Sequence, residues 1–282
     1  MQIELRNVTY KYSDAGRSVL DNINLTLDTK DFTAIVGPTG SGKSTLIQHL
    51  NLLLTATSGE VYCDGANVYA NDFDKRNFRF KVGMVFQYPE YQLFESTVLD
   101  DVSFGPKNLG LDSEEVLRRA ERALDIVGIP SELRSRSPFE LSGGQKRRVA
   151  LAGVLAMQPE FLVLDEPASG LDPAGKKDML DLMKKLHEEN GIGIILVSHS
   201  MDDVASYADR LVVLSHGRIE MDGSPKQVFA QHEEIRELGL DIPDMMKILI
   251  ALKARGVAVD DTVITLDEAV KAILTAAGRI TS

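Results

Sequence analysis

The run "FTAIVGPTGSGKSTLIQHL" from Phe32 to Leu50 constrains this chain more than any other stretch. A short apolar strand pattern ends at Gly37, two more glycines follow within five positions, and Leu46, Ile47 and Leu50 then fall at helical spacing. Strand, glycine-rich turn and helix together form a unit whose backbone N–H groups converge on anionic oxygens. Glycine tolerates the close approach, and the helix dipole is positive at its start. "GPTGSGKS", from Gly37 to Ser44, matches the phosphate-loop spacing in the required context. In such a loop Lys43 supplies a mobile charge to β- and γ-phosphates and Ser44 offers a hydroxyl to Mg²⁺.

Composition sets the frame around that unit. The 282 residues are 44% hydrophobic and 26% charged, enough for one substantial core plus an appendage and unlike disordered or collagen-like chains. A net charge of −11 repels nucleic-acid phosphates and anionic lipid, so neither is expected as a bulk partner. Cys63 is the single cysteine, and Met1–Leu5 carries no signal-peptide pattern. Both point to a reducing, cytosolic setting. Apolar runs such as "GIGIILV" and "KILIALK" stop far short of the roughly eighteen residues that span a bilayer, so any membrane role is expected to be peripheral.

Elsewhere the patterning alternates between strand and helix. Ile3, Leu5, Val8, Tyr10 and Tyr12, then Leu20, Ile23, Leu25 and Leu27, read as a hairpin around the turn "SDAGRS". "VGMVF" at 82–86, "FLVLD" at 161–165 and "GIILVS" at 193–198 are buried-strand patterns with helical segments between them, which predicts an α/β fold with a largely parallel sheet. Tyr88 to Glu140 reads as a helical insert, with Ser113 capping a helix whose Leu117, Ala120, Leu124 and Val127 share one face. Asp172–Pro173 opens another helix that buries Met179, Leu182, Met183 and Leu186. "RLVVLSHGRIEMDG" reads as a hairpin turning at His216–Gly217. From Ser224–Pro225 onward the chain is helical, with a stripe of Met245, Ile248, Leu249 and Leu252 and a capping box of Thr265 with Glu268.

Two further motifs join the phosphate loop. "FLVLDE" places Asp165 and Glu166 at a strand's carboxyl end, where the first can reach the metal held by Ser44 and the second can polarise a water. "LSGGQ" at 141–145, at the mouth of a helix about twenty residues before that strand, resembles the signature of ATP-binding cassette (ABC) ATPases. The resemblance covers essentially residues 2–227.

The resemblance implies a P-loop NTPase of the ABC type, with an N-terminal antiparallel β subdomain, a helical subdomain at about 88–155, an ATPase domain over 1–227 and a C-terminal helical dimerisation domain over 228–282. The implied cofactors are ATP and Mg²⁺. Tyr12 would stack on adenine, with Tyr10 two positions away as its competitor. Gly37, Pro38, Thr39, Gly40, Ser41, Gly42, Lys43, Ser44 and Thr45 would hold the phosphates. Ser44, Gln87 and Asp165 would serve the metal; Glu166 would be the general base and His199 would contact the γ-phosphate. Ser142, Gly143, Gly144 and Gln145 would reach the nucleotide of another chain, and Ser169, Gly170, Leu171 and Asp172 would cross to that partner. One departure is Ala168 in "EPASGLDP", where the family usually has Thr.

"FQYPEYQLFESTVLDDVSFGPKNLGL", "GSGKSTLIQHLN" and "QKRRVALAGVLAMQP" are similar to the ATP-binding subunits of energy-coupling factor (ECF) transporters, within them to the second, A-prime type. That similarity implies an importer of vitamins or transition-metal ions. Its expected partners are a second, non-identical ATPase, a transmembrane T subunit and substrate-capturing S subunits, at the cytoplasmic face of a bacterial membrane. Leu93, Phe94, Val98, Leu99, Val102 and Phe104 are expected to line a groove for a T-subunit helix. The Met245–Leu252 stripe is expected to contribute to dimerisation. The competing readings are an ATPase of another ABC importer class and a non-transport ABC ATPase.

Overall fold

Alternating apolar residues at the start of the chain produce a strand pair. In the computed structural model β1 (Gln2–Tyr10) runs antiparallel to β2 (Leu20–Asp28), with Ile3 opposite Leu27 and Leu5 opposite Leu25. The structure describes residues 1–13 and 16–278; Asp14 and Ala15 of the expected turn lie outside them. The chain continues through β3 (Phe32–Val36), α1 (Lys43–Leu50), β4 (Ser58–Cys63), β5 (Ala66–Asn67), α2 (Lys75–Lys81) and β6 (Val82–Val85). Three helices, α3 (Val98–Asn108), α4 (Ser113–Ile126) and α5 (Gly143–Leu155), precede β7 (Phe161–Asp165). Then come α6 (Pro173–Asn190), β8 (Gly193–Val197), α7 (Met201–Tyr207), β9 (Arg210–Ser215) and β10 (Arg218–Gly223). The last helices are α8 (Pro225–Phe229), α9 (His232–Glu237), α10 (Asp244–Ala254) and α11 (Leu266–Ala276).

The strands form two sheets. One is antiparallel, in the order β2-β1-β4-β5; the other runs β10-β9-β3-β8-β7-β6, parallel except for β10. Parallel strands buried on both faces need apolar residues at every position, and β8 reads "GIILV" for that reason. Its Ile194 and Leu196 face a core shared with α3 to α6, while Ile195 and Val197 face a second core shared with the antiparallel sheet and α1. The β9–β10 turn is the expected one: His216 at φ +49° and Gly217 at φ +78° supply the paired left-handed residues that a tight hairpin requires.

Local signals were shifted in three places. Helix α4 is capped by Asp112 rather than Ser113, because its carboxylate accepts from both Glu114 N and Glu115 N and favours the positive helix start. The buried face of α4 runs through Val116, Ala120, Ala123 and Leu124, which turns Leu117 toward solvent at 44% exposure. At α11 the Thr265 hydroxyl donates to Glu268 Oε2 at 2.9 Å and makes no cap bond to the backbone, so the expected capping box does not form. In α6, Asp172 accepts from Gly175 N as expected, with Leu180 joining Met179, Met183 and Leu186 in the core and Leu182 partly buried.

The helices after β10 pack on the parallel sheet. Val228, Phe229, Ile235, Ile242 and Met246 join Ala34, Val36, Leu211 and Val213 of the parallel sheet in one apolar cluster. Leu249, at 0% exposure, is enclosed with Val259, Val263 and Ala269 of its own chain, so it is not free for an intermolecular contact. Met245 and Leu252 flank that cluster, and Ile248 alone of the stripe stays exposed. Burial pushes the Cys63 thiol up to about 11, which leaves it protonated and unreactive at neutral pH, as befits a strand residue.

Phe32 anchors the central strand, fully buried with its ring edge-on to His187. Phe32→Ala is expected to cost about 3–5 kcal/mol and to lower the midpoint of thermal unfolding by roughly 6–15 °C. Scanning calorimetry measures this, and an unchanged midpoint would contradict the placement.

Candidate nucleotide site

Four parallel strands end at one edge of the sheet, and each delivers one part of the site. Strand β3 leads into Gly37–Ser44, β6 into Gln87, β7 into Asp165 and Glu166, and β8 into His199. The carboxyl ends of parallel strands are where open α/β sheets bind ligands.

The loop after β3 is held by close approach. A Cβ on Gly37 would lie 2.1 Å from the carbonyl oxygen of Leu214 on β9, so no larger residue fits. Gly42 takes φ +105° and begins α1 without a side-chain cap, leaving the first N–H groups of the helix to the loop. Ser41 Oγ is buried with no hydrogen-bond partner among the described residues. Lys43, 7% exposed, donates from Nζ to the carbonyls of Gly37 at 2.7 Å and Pro38 at 3.0 Å, which lays its charge across the loop. Burial lowers its pKa from the ordinary lysine value, against the pull of Glu166 and Asp165.

Opposite Lys43, the two carboxylates are fixed differently. Ser44 Oγ donates to Asp165 Oδ2 at 3.0 Å, joining residues 121 positions apart. Burial raises the Asp165 pKa, the Ser44 hydrogen bond opposes that, and the neighbouring charge of Glu166 adds to it. Glu166 itself takes φ +51°, a left-handed conformation that costs a non-glycine residue about 1–3 kcal/mol. Its backbone N donates to Val197 O at 3.1 Å, and Ser169 N closes a turn onto its carbonyl at 3.1 Å. The carboxylate lies between His199 Nε2, 2.8 Å from Oε1, and Gln87 Nε2, which donates to Oε2 at 3.3 Å. A cavity of about 180 Å³ adjoins Glu166 and His199, bounded further by Ser169, Lys176 and Asp203.

The remaining expected residues fall in two groups. Tyr12 is 64% exposed and its hydroxyl lies 3.0 Å from Thr45 Oγ1, so its ring is largely exposed beside the loop. Tyr10 is partly buried and packs edge-on against both Tyr12 and the buried His49. Ser142 and Gln145 close a reciprocal capping box at the start of α5, with Gly143 and Gly144 facing open space. None of the hydrogen bonds among the described residues joins Ser142–Gln145 to the phosphate loop or to Asp165 and Glu166. Asp172 Oδ1 is engaged as the cap of α6. Arg147 and Glu90 were not legible: both touch the segments around the site, yet "QKRR" reads as a solvated basic run and Glu90 as one carboxylate in a loop.

The profile of the ABC transporter family matches residues 20–169. An energy-coupling factor transporter ATP-binding protein, EcfA2, of Caldanaerobacter subterraneus is 47% identical over 97% of both chains, and its namesake of Clostridioides difficile is 45% identical over 97% of both. Among solved structures, cbiO1 from Clostridium perfringens, part of the ABC transporter complex cbiONQ, superposes with a TM-score of 0.74 at 40% identity, covering 84% of this chain and 93% of that one. The dimeric ATP-binding cassette MJ0796 bound to ADP and Pi gives a TM-score of 0.70 at 32% identity, covering 79% of this chain and 98% of that one. With strand-end geometry, family profile and full-length relatives in agreement, this chain belongs to the ABC transporter family, as an ATP-hydrolysing subunit of the energy-coupling factor type.

Proposed function

We propose that this ATPase subunit binds ATP with Mg²⁺ between its own phosphate loop and the "LSGGQ" segment of a second, non-identical ATPase. Closing and reopening of that sandwich is passed through a transmembrane T subunit to uptake of vitamins or transition-metal ions captured by S subunits. The observation that carries the reading is Glu166 held between His199 and Gln87 beside the Ser44–Asp165 pair, at the carboxyl ends of four strands.

The donor set suits Mg²⁺. Ser44 and Asp165 offer hard oxygen atoms side by side, and Mg²⁺ is typically held by one or two protein oxygens, with phosphate oxygens and waters completing its shell. The carboxylate of Asp165 is disfavoured by burial, so a divalent cation would relieve it. When bound, Mg²⁺ neutralises charge on the β- and γ-phosphates and fixes their orientation. Gln87 would lend its side-chain oxygen to the same cation.

The chain's own residues then do the positioning. The N–H groups of Gly37–Thr45 and the start of α1 hold the phosphates, and Lys43 exchanges the carbonyls of Gly37 and Pro38 for phosphate oxygens. Tyr12 offers its exposed ring to adenine. Glu166 orients the attacking water and takes its proton. His199 Nε2 lies 2.8 Å from Glu166 Oε1. The His199 ring would turn to the γ-phosphate once nucleotide is present, freeing Glu166 Oε1 for water. Because Ser142–Gln145 sit on the helical insert, apart from the chain's own loop, they are available to the partner's nucleotide.

The aromatic cluster after Gln87 supports a membrane partner. Phe94 and Phe104 are 57% and 43% exposed with their rings edge-to-face at 4.9 Å, beside the exposed Tyr88 and Tyr91. Leu93, Val98 and Val102 are buried in the chain's own core and Leu99 is partly buried, so the proposed groove is narrowed to the two phenylalanines. No helix among the described residues is long and apolar enough to cross a membrane.

Glu166→Gln is expected to lower kcat by at least about 10²-fold while ATP binding persists and the closed dimer accumulates on size exclusion. Lys43→Ala should lose nucleotide binding; unchanged turnover in either variant contradicts the assignment. Phe94→Asp with Phe104→Asp should leave ATP hydrolysis by the paired ATPases without membrane subunits intact and abolish uptake by the assembled transporter; retained uptake would remove the docking site. For Asp165 the folded pKa is raised, so the native state binds more protons than the unfolded one just above the ordinary carboxylate range, and stability falls as pH rises through that window. Asp165→Asn should therefore raise the unfolding midpoint without nucleotide at pH 7 to 8 and gain little near pH 4, while losing the extra stabilisation that Mg²⁺ adds to ATP. A lower midpoint at pH 8, read by differential scanning fluorimetry, would reverse the sign.

A further inference from the structure

Arg147 lies on α5, five residues past Ser142, and its side chain is 8% exposed although its neighbours in the chain are Lys146 and Arg148. A guanidinium that buried has to be paired. Its Nε donates to Glu90 Oε2 at 3.3 Å, and its Nη1 donates to the carbonyl oxygen of Ser169. Arg148, the next residue, turns elsewhere, to Val127 O and Asp178.

The two acceptors belong to the segments that matter most for hydrolysis. Glu90 sits in the short turn Pro89–Gln92, three residues after Gln87. Ser169 closes the turn that begins at Glu166, through its N–H to the Glu166 carbonyl. Gly170 follows at φ +73°, and a Cβ there would lie 3.9 Å from Arg147 Nη2, so the guanidinium runs along the outside of this turn. One buried cation thus ties together the stretches that carry Gln87 and Glu166, whose side chains meet at 3.3 Å.

Glu166 needs such a tie. Its left-handed backbone is held only by what surrounds it, and a charged donor on the Ser169 carbonyl is a stronger anchor than a neutral one. We propose that Arg147 is a positioning residue for ATP hydrolysis, clamping the Glu166–Ser169 turn to the segment after Gln87 so that the Glu166 carboxylate points at the attacking water. It acts through Glu166 and touches no nucleotide, and the proposal rests on the reading of Glu166 as general base.

The test measures kcat, KM and ATP binding of the full chain in the assembly that hydrolyses ATP. Arg147→Gln should lower kcat by about tenfold or more, a share of the 10²- to 10⁴-fold that a general base supplies, with KM and ATP affinity within twofold of the parent. Glu90→Gln, which removes one acceptor charge at nearly constant shape, should lower kcat in the same direction by less. Arg147→Lys should recover part of the rate, because an ammonium serves one acceptor where the planar fork serves two. In a Glu166→Gln background, Arg147→Gln should change the residual rate less than twofold, since the group it positions is gone. Parent-like kcat in both Arg147→Gln and Glu90→Gln overturns the clamp while leaving the base in place. An equal loss in the Glu166→Gln background, or a parallel loss of ATP binding, overturns it in favour of general support of the fold. Parent-like turnover of Glu166→Gln instead removes the base reading, and shows itself before Arg147 is altered.

Discussion

Hydrogen-bonded pairing of β3 between β8 and β9 is the constraint on which the site depends. Ile35 lies opposite Val197 on one side and Val212 on the other, and Asp165 in turn lies opposite Val197. This register brings the ends of β3, β7 and β8 level, so that Ser44 meets Asp165 and His199 meets Glu166 without being neighbours in sequence. A slip of one residue in any of these ladders would exchange the two faces of a strand and carry its loop out of line. Both faces of the sheet are covered by separate apolar clusters, and that burial fixes the register.

The site built on that edge holds charge in a partly desolvated cleft. Burial shifts Lys43 and Asp165 toward their neutral forms, while the loop glycines and the uncapped start of α1 add backbone N–H groups without further side-chain charge. Preorganised groups of this kind gain most when charge of opposite sign arrives, because little reorganisation is then needed. The same economy explains α5. Its first turn presents Ser142–Gln145 outward, while Arg147, one turn further along, faces inward to Glu90 and Ser169.

Much of the fold was legible because its signals are local. The phosphate loop, the Asp172–Pro173 helix start, the Ser224–Pro225 start and the His216–Gly217 hairpin each depend on backbone conformations that only certain residues favour, and the structure contains all four. Periodic stripes were less decisive. Leu117 and Val116 are separated by a single helical step, yet the packing partner of α4 buries the second and leaves the first exposed. The stripe around Leu249 is genuine, but what covers it is a set of residues from 259 to 269 that no helical period in α10 identifies. Arg147 is the strongest instance. A basic run carries no sign of which member is turned inward, since that depends on where two remote carbonyl and carboxylate groups come to rest.

By itself, then, the sequence determined that a strand, a glycine loop and a helix would cradle phosphate, that an acidic strand end and an "LSGGQ" helix would accompany it, and hence the family and its chemistry. Those features are short, and their physics is that of backbone freedom, helix dipoles and charge at fixed spacing. Only the tertiary structure decided that Tyr12 is more exposed than Tyr10, that Phe94 and Phe104 stay exposed while Val98 and Val102 are buried, and that Glu166 is held in a left-handed turn beside a buried arginine. Each of these is a contest for burial or hydrogen bonds between segments tens of residues apart, and its outcome exists only once the sheet register has brought the competitors together.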